Sequence, residues 1–241
     1  MPRSLPTPQA HEAIRSFFDG WHLYQTVIQH NYMAHREIHE ALRRVLIDNL
    51  PVEATLLDLG CGDASCIATT VQGTPVRHVI GVDLSSDALA LAAQNFAQVS
   101  VPSELVQADL LGYLAQPSTK PVDVIVCGFA VHHLSTAEKE TFFQRARRLL
   151  DAGSLLLMYD TYRSPEESRA EYLARYLAYA RTNWCALSSA QHDQIAEHVL
   201  GHDFPETSGI LFRLAETHGF ATKQALLFSD GSHGLWCFRA A

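Results

Sequence analysis

Between Ala54 and Asp160, short apolar runs alternate with stretches of helical periodicity, and few folds accommodate that rhythm. Strands are expected at ATLLDLG (54–60), VRHVIGVDL (76–84), SELVQAD (103–109), VDVIVCGF (122–129) and SLLLMYD (154–160). Helices are expected between them, at about 64–72, 86–98 and 136–150. Strands so little interrupted by polar residues are buried on both faces, as in a parallel sheet covered by its own right-handed crossover helices. Two further strands, ATKQALLFSD and HGLWCFRA, meet at a turn at Asp230-Gly231 and should pair antiparallel. The expected architecture is an α/β sheet of seven strands.

The flanks of this pattern are helical. Over residues 10–50, Ile38, Leu42, Val45 and Leu46 recur at helical spacing and Pro51 ends the run, giving a helical N-terminal lid over 1–50. The remainder, 51–241, reads as one domain with a helical insertion at about 161–207. Its first helix is expected to start with Ser164 as cap, Pro165 at the first position and Glu167 closing a capping box. A serine also caps the second helix, SSAQHDQIAEHVLGHDF, and Gly219 ends a third, SGILFRLAETHGF. A chain of 241 residues can bury about 70–75% of its extended surface without disulfide or metal staples.

The stretch LLDLGCGDAS, Leu56 to Ser65, places glycines where a strand gives way to a helix. Glycine there lets a ligand approach the backbone, and a helix start offers N–H groups to an anion. Ser65 occupies the position where the dinucleotide fingerprint needs a third small glycine or alanine, which argues against a nicotinamide dehydrogenase; the phosphate loop with its lysine is absent. Asp83, about 20 residues further on, ends the second strand, where a carboxylate can accept from ribose hydroxyls. Asp109 falls at the same carboxyl edge of the sheet.

The ordered series LDLGCGDAS, VIGVDLS, VQADL, VDVIVCGFAVHHL and LLDAGSLLLMYD resembles the class I S-adenosylmethionine-dependent methyltransferases over residues 52–160. The resemblance implies a Rossmann-like seven-stranded sheet with an antiparallel final strand, and S-adenosylmethionine as cofactor. It implies that Gly60, Cys61 and Gly62 approach the methionine part, with Asp58 orienting its amino end. Asp83, with Leu84 beside it, would hold the ribose, and Asp109 and Leu110 would meet the adenine. Cys127, Gly128 and Phe129 would face the sulfonium. Asp63 and Ala64 stand where many members carry a third glycine. From the N-terminal helices, Tyr24, Tyr32, His35 and Arg36 would close over the cofactor.

Methyl transfer is an in-line displacement, so the protein chiefly aligns two partners and excludes water. His132, His133 and Tyr159 are the catalytic candidates. One histidine is expected to face the cavity, the other to pack or to cap the helix at Ser135. Trp21, Tyr162, Arg163 and Tyr176 are the candidates for the acceptor. Tyr172, Tyr176 and Tyr179 form an aromatic stripe that is either core or pocket wall. His35 and His39 have the spacing of a zinc pair but no third ligand, so no metal is expected. A net charge of −8, with only Arg145, Arg147 and Arg148 clustered, argues against nucleic acid. The longest uncharged apolar run, Val124 to Val131, is too short to cross a bilayer. Five cysteines without a C-x-x-C pair and an N-terminus without a signal peptide suggest a reduced, cytoplasmic setting. The expected function is methyl transfer to a small-molecule acceptor; the alternative is a non-catalytic cofactor-binding module completing a partner complex. Oligomeric state is left open. Asp83→Ala should lose most S-adenosylmethionine affinity while still folding; unchanged affinity in a calorimetric titration removes the ribose assignment.

Overall fold

The computed structural model describes residues 22–117, 121–229 and 231–241. Its strands are β1 (Ala54–Leu59), β2 (Val76–Asp83), β3 (Ser103–Gln107), β4 (Val122–Gly128), β5 (Leu150–Thr161), β6 (Phe220–Ser229) and β7 (His233–Ala240). They form one sheet in the order β3-β2-β1-β4-β5-β7-β6. β1 to β5 are parallel, and β7 lies antiparallel to both β5 and β6. The expected sheet with its antiparallel last strand is therefore present; Asp230 of the closing turn lies outside the described residues.

Period-two alternation divides the core. Leu56, Val79, Val124, Val126, Leu155 and Leu157 face one way. Against them pack α1 (His22–Gln29), α2 (His35–Asn49), α3 (Ser65–Val71), α4 (Ser86–Ala97), α7 (Arg169–Asn183) and α8 (Ser189–His202). Leu57, Leu59, Ile80, Ile125, Cys127 and Leu156 face the other way, against α5 (Leu110–Leu114), α6 (Thr136–Leu149) and α9 (Ser208–Thr217). Both faces of the parallel strands are thus buried, which is why they read as continuous apolar runs. Among the described residues no helix is long and apolar enough to cross a membrane.

The flanking segments depart from expectation in two places. The N-terminal segment divides in two: Ile38, Leu42 and Leu46 of α2 are fully buried in the main core, so that helix is largely structural and reaches the first cleft only through His35 and His39, whereas α1 lines both cavities. The insertion's capping box sits four residues later than Ser164. Ser168 accepts from the Glu171 N–H, and the Glu171 carboxylate accepts from the Ser168 N–H at 2.8 Å. Glu167 is instead taken by Arg175, at 2.6 Å, and by the Ser164 N–H, so residues 164–167 make a turn. The second cap, Ser188 with Gln191, is where the pattern puts it.

At the carboxyl end of β4, Gly128 lies in register with Tyr159 of β5. A Cβ on Gly128 would fall 1.9 Å from the Tyr159 Cζ, so only glycine lets the tyrosine ring cross the strand end here. Gly128→Ala should therefore lower the melting temperature sharply, and should cost far less in a Tyr159→Ala background. Additive losses in thermal denaturation would show that the two positions are not coupled.

Candidate active site

The strand order reverses between β1 and β4, and a crevice opens at their carboxyl ends, where open α/β sheets bind ligands. Asp58, Gly60, Cys61, Gly62, Asp63, Gly128, Phe129, Tyr159, Tyr24, His35 and His39 line a cleft of about 400 Å³ there. The loop after β1 is built from left-handed residues, with φ of 73° at Gly60, 54° at Gly62 and 53° at Ala64. A Cβ on Gly60 would sit 2.9 Å from that of Ala130, so glycine keeps the crevice open. Ala64, in place of a third glycine, takes the left-handed conformation all the same. Phe129 does so too, with φ 46°, so two non-glycine residues flank the cleft in a conformation costing about 1–2 kcal/mol each.

The cleft is acidic. Among the described residues no lysine or arginine lines it, whereas Asp58 and Asp63 do, and Asp83 lies beside it. Burial, with the Asp83 charge added, pushes the Asp58 carboxyl up to about 7. Asp83 Oδ2 accepts from the Gly62 N–H at 2.8 Å and Oδ1 from the Ser85 N–H at 2.9 Å. It therefore holds the glycine loop. Burial raises Tyr159 well above the usual phenol range, so it stays a neutral hydroxyl rather than a phenolate. Burial likewise keeps His35 and His39 neutral, at about 3 and about 4. His39 Nδ1 lies 2.8 Å from the Thr70 hydroxyl and His35 Nε2 3.3 Å from Tyr24, so the two do not converge on a shared ligand.

A second cavity, with about 530 Å³ of empty space, adjoins the first; Tyr24 and Phe129 line both. Its walls are apolar: Leu23 and Val27 from α1, Met33, Tyr176 and Trp184 from the end of α7, and Ile195 and Val199 from α8. His132, His133, His198 and Asp203 make its polar side. Both adjacent histidines reach this cavity, contrary to the expected division of labour, because Glu138 and not a histidine completes the cap at Ser135. His132 Nδ1 is 2.5 Å from Asp160 Oδ1, and the His132 N–H donates to Oδ2 at 3.0 Å. Burial pulls His132 down, but Asp160 and Asp203 outweigh it and raise its pKa. Burial and the neighbouring His132 lower that of His133.

Several expected site residues stand elsewhere. Cys127 points into the opposite core, since alternation along β4 sends Val126 and Gly128 toward the cleft face and Cys127 away. Tyr32 stacks on Trp184 at 5.3 Å and accepts from the Ala186 N–H at 2.8 Å, tying the N-terminal segment to the insertion outside the cleft. Arg36 is exposed in an outer groove between α2 and α3. Tyr162 packs on Phe228 and Trp236 at the outer end of the sheet. Arg163 donates to the Pro205 and Glu167 carbonyls and pairs with Glu206, holding the insertion's return strand rather than a ligand. Leu84, Asp109 and Leu110 lie near the ends of β2 and β3, outside both cavities, with Asp109 also capping α5 at 2.7 Å from the Gly112 N–H. Tyr179 is exposed, so the aromatic stripe stops at Tyr172 and Tyr176, and Trp184 packs edge-on against Tyr176 instead. Trp21 lies outside the described residues. His198, Asp203 and the apolar wall of α1 were not anticipated; HVLGHD gives no local signal beyond a helix end.

A family model described as a methyltransferase domain matches residues 56–153. The chain is 33% identical over 153 residues to a trans-aconitate 2-methyltransferase of Azoarcus sp. (strain BH72), an alignment covering 61% of this chain and 55% of the relative. The match thus spans about half of that curated relative. Among solved structures, a magnesium protoporphyrin IX methyltransferase from Synechocystis PCC 6803 superposes with a TM-score of 0.66 at 15% identity, covering 96% of this chain and all of the other. The N-methyltransferase NodS of Bradyrhizobium japonicum WM9 gives 0.57 at 16% identity, covering 85% of this chain and 86% of the other. Fold and crevice define a Rossmann-like methyltransferase domain. The family match makes residues 56–153 a methyltransferase domain, and the ordered motifs over 52–160 are similar to those of the class I S-adenosylmethionine-dependent methyltransferases.

Asp58 provides a test of the cleft's electrostatics. Its folded pKa of about 7 exceeds the ordinary 3.8, so the folded state holds the proton longer than the unfolded chain. Its contribution to stability therefore falls as pH rises from about 4 to about 7. Asp58→Asn should flatten that part of the stability profile in urea titrations across this range; an unaltered slope would contradict the assignment.

Proposed function

We propose that this protein transfers the methyl group of S-adenosylmethionine to a small, largely apolar acceptor. The observation that carries the reading is the pair of adjoining cavities with Tyr24 and Phe129 as their common wall, one acidic and one apolar. The acidic cleft suits a cation-bearing ligand: Asp58 and Asp63 meet it without a competing lysine or arginine among the described residues. Gly60, Cys61 and Gly62 leave room for its backbone approach, Asp58 would hold its ammonium, and Asp83 its ribose hydroxyls. Asp109 and Leu110 would border the adenine at the open edge. When bound, S-adenosylmethionine supplies an electrophilic methyl group on a sulfonium sulfur.

The remaining work falls to this chain's own residues. Phe129 and Tyr24 set the spacing between donor and acceptor. Tyr159, protonated and buried beneath Gly128, makes a rigid wall. Val27, Met33, Tyr176, Trp184, Ile195 and Val199 exclude water and orient the acceptor by its apolar body. Such positioning accounts for most of what an in-line displacement requires. His132 and His133 meet the acceptor's reacting heteroatom, since the polar side of the cavity is where that atom finds partners. The Azoarcus relative, named for trans-aconitate, is in keeping with a small acceptor.

A thermal-shift panel with S-adenosylmethionine, S-adenosylhomocysteine and NAD tests the reading. At about 100 times its dissociation constant a ligand stabilises by about 2.7 kcal/mol, a shift of about 5–10 °C for a domain of this size. The two adenosyl ligands should shift the transition and NAD should not; no shift with either overturns the proposal. Binding without release of S-adenosylhomocysteine across a panel of small acceptors would instead favour a non-catalytic module.

A further inference from the structure

His132 and His133 follow β4, whereas Asp203 ends α8, about seventy residues later, yet the three offer ligand atoms that all lie within 4.8 Å of one another. We infer that His132, His133 and Asp203 bind one divalent transition-metal ion of the zinc type at the polar side of the second cavity.

Asp203 carries the argument. The residue is 5% exposed, and its Oδ1 is buried without a hydrogen bond. Three imidazole nitrogens nevertheless surround that oxygen: His133 Nδ1 at 3.4 Å, His132 Nε2 at 3.6 Å and His198 Nε2 at 3.9 Å. A network optimised for hydrogen bonding would bring at least one nitrogen to about 2.8 Å of a buried carboxylate oxygen. Ligands on a tetrahedral zinc, with bonds of 2.0–2.1 Å, stand about 3.3–3.5 Å from one another. The distances to His133 and His132 are close to that edge length. The His133 Nδ1 also lies 3.3 Å from the His202 carbonyl, a contact it would exchange for the metal.

The surroundings fit as well. Asp160 accepts at His132 Nδ1 and is itself held by the His132 and Thr161 N–H groups, which fixes the ring with Nε2 turned toward Asp203. A carboxylate behind a histidine in this way is the usual outer partner of a metal-ligating imidazole. Two imidazoles and one carboxylate suit zinc-type cations rather than magnesium or calcium. Three protein ligands leave a position open toward the apolar cavity, and an acceptor bearing an oxygen or sulfur donor would fill it. That last step rests on the proposed methyl transfer; the binding of the ion does not.

The test uses full-length, tag-free, chelator-stripped protein titrated with Co2+ and followed by visible absorption, then with Zn2+ by calorimetry. One equivalent of Co2+ should give the intense bands of tetrahedral coordination, and Zn2+ should bleach them. Asp203→Asn and His133→Gln should weaken binding at least tenfold. Asp160→Asn, which touches no metal, should weaken it about 10–100-fold. Binding of S-adenosylhomocysteine, measured on every variant, reports that the fold is intact. A wild-type spectrum of aqueous Co2+ alone overturns the site whatever the variants do, as do tetrahedral bands that survive Asp203→Asn. Tetrahedral bands without S-adenosylhomocysteine binding would sink the methyl-transfer reading and leave the metal site standing.

Discussion

The molecule is organised around a gap that its topology cannot close. From β1 the chain crosses to β2 and β3 on one side, and from β4 to β5 on the other, so the carboxyl ends of β1 and β4 share no covering connection. Every feature of the site follows from keeping that gap open yet dry. Gly60 and Gly128 supply it with space, because a Cβ at either position would strike Ala130 or the Tyr159 ring. Ala64 and Phe129 hold left-handed conformations at its rim, strain that the surrounding core must compensate.

The two cavities that meet there differ in their electrostatics. Around the glycine loop, carboxylates accumulate with no lysine or arginine among the described residues lining the cleft, and burial raises Asp58 and Asp83 against their preference to ionise. Such an environment favours a ligand that brings positive charge. Across the Tyr24–Phe129 wall the polar groups are imidazoles gathered around one carboxylate, in an otherwise apolar pocket. Burial there keeps His133 and His198 neutral, whereas Asp160 and Asp203 together keep His132 raised. One side is prepared for a cation carried by a ligand, the other for a donor atom.

The insertion is what closes the second cavity, and buried polar contacts fasten it to the sheet. The Phe204 N–H donates to the His132 carbonyl at 2.7 Å, and Lys139, 1% exposed, reaches Glu206 at 3.5 Å and donates to the Phe204 carbonyl. Arg169 donates to the carbonyls of Asp203 and Leu200 at the end of α8. These bonds set Asp203 opposite the histidines. Arg163, expected from its position to recognise a ligand, proves to be one of these fasteners.

The sequence by itself determined the parallel sheet, the glycine loop, the carboxylates at the strand ends and the antiparallel closing pair. Those features are local: a buried strand must be apolar on both faces, and a tight turn after it must admit positive φ. Only the tertiary structure decided which side chains share a cavity. Cys127 and Gly128 are neighbours in sequence, but the pleat sends them to opposite faces of the sheet. Tyr24 and Tyr32 lie two turns apart in the same aromatic segment, yet one walls the cleft and the other stacks on Trp184 outside it. Ser164 and Ser168 both begin a Ser-x-x-Glu pattern, but the helix starts after Ser168, and Glu167 is shared between the Ser164 N–H and Arg175. The trio of His132, His133 and Asp203 leaves no local trace, because long-range packing of α8 on the end of β4, and not spacing along the chain, brings its members together.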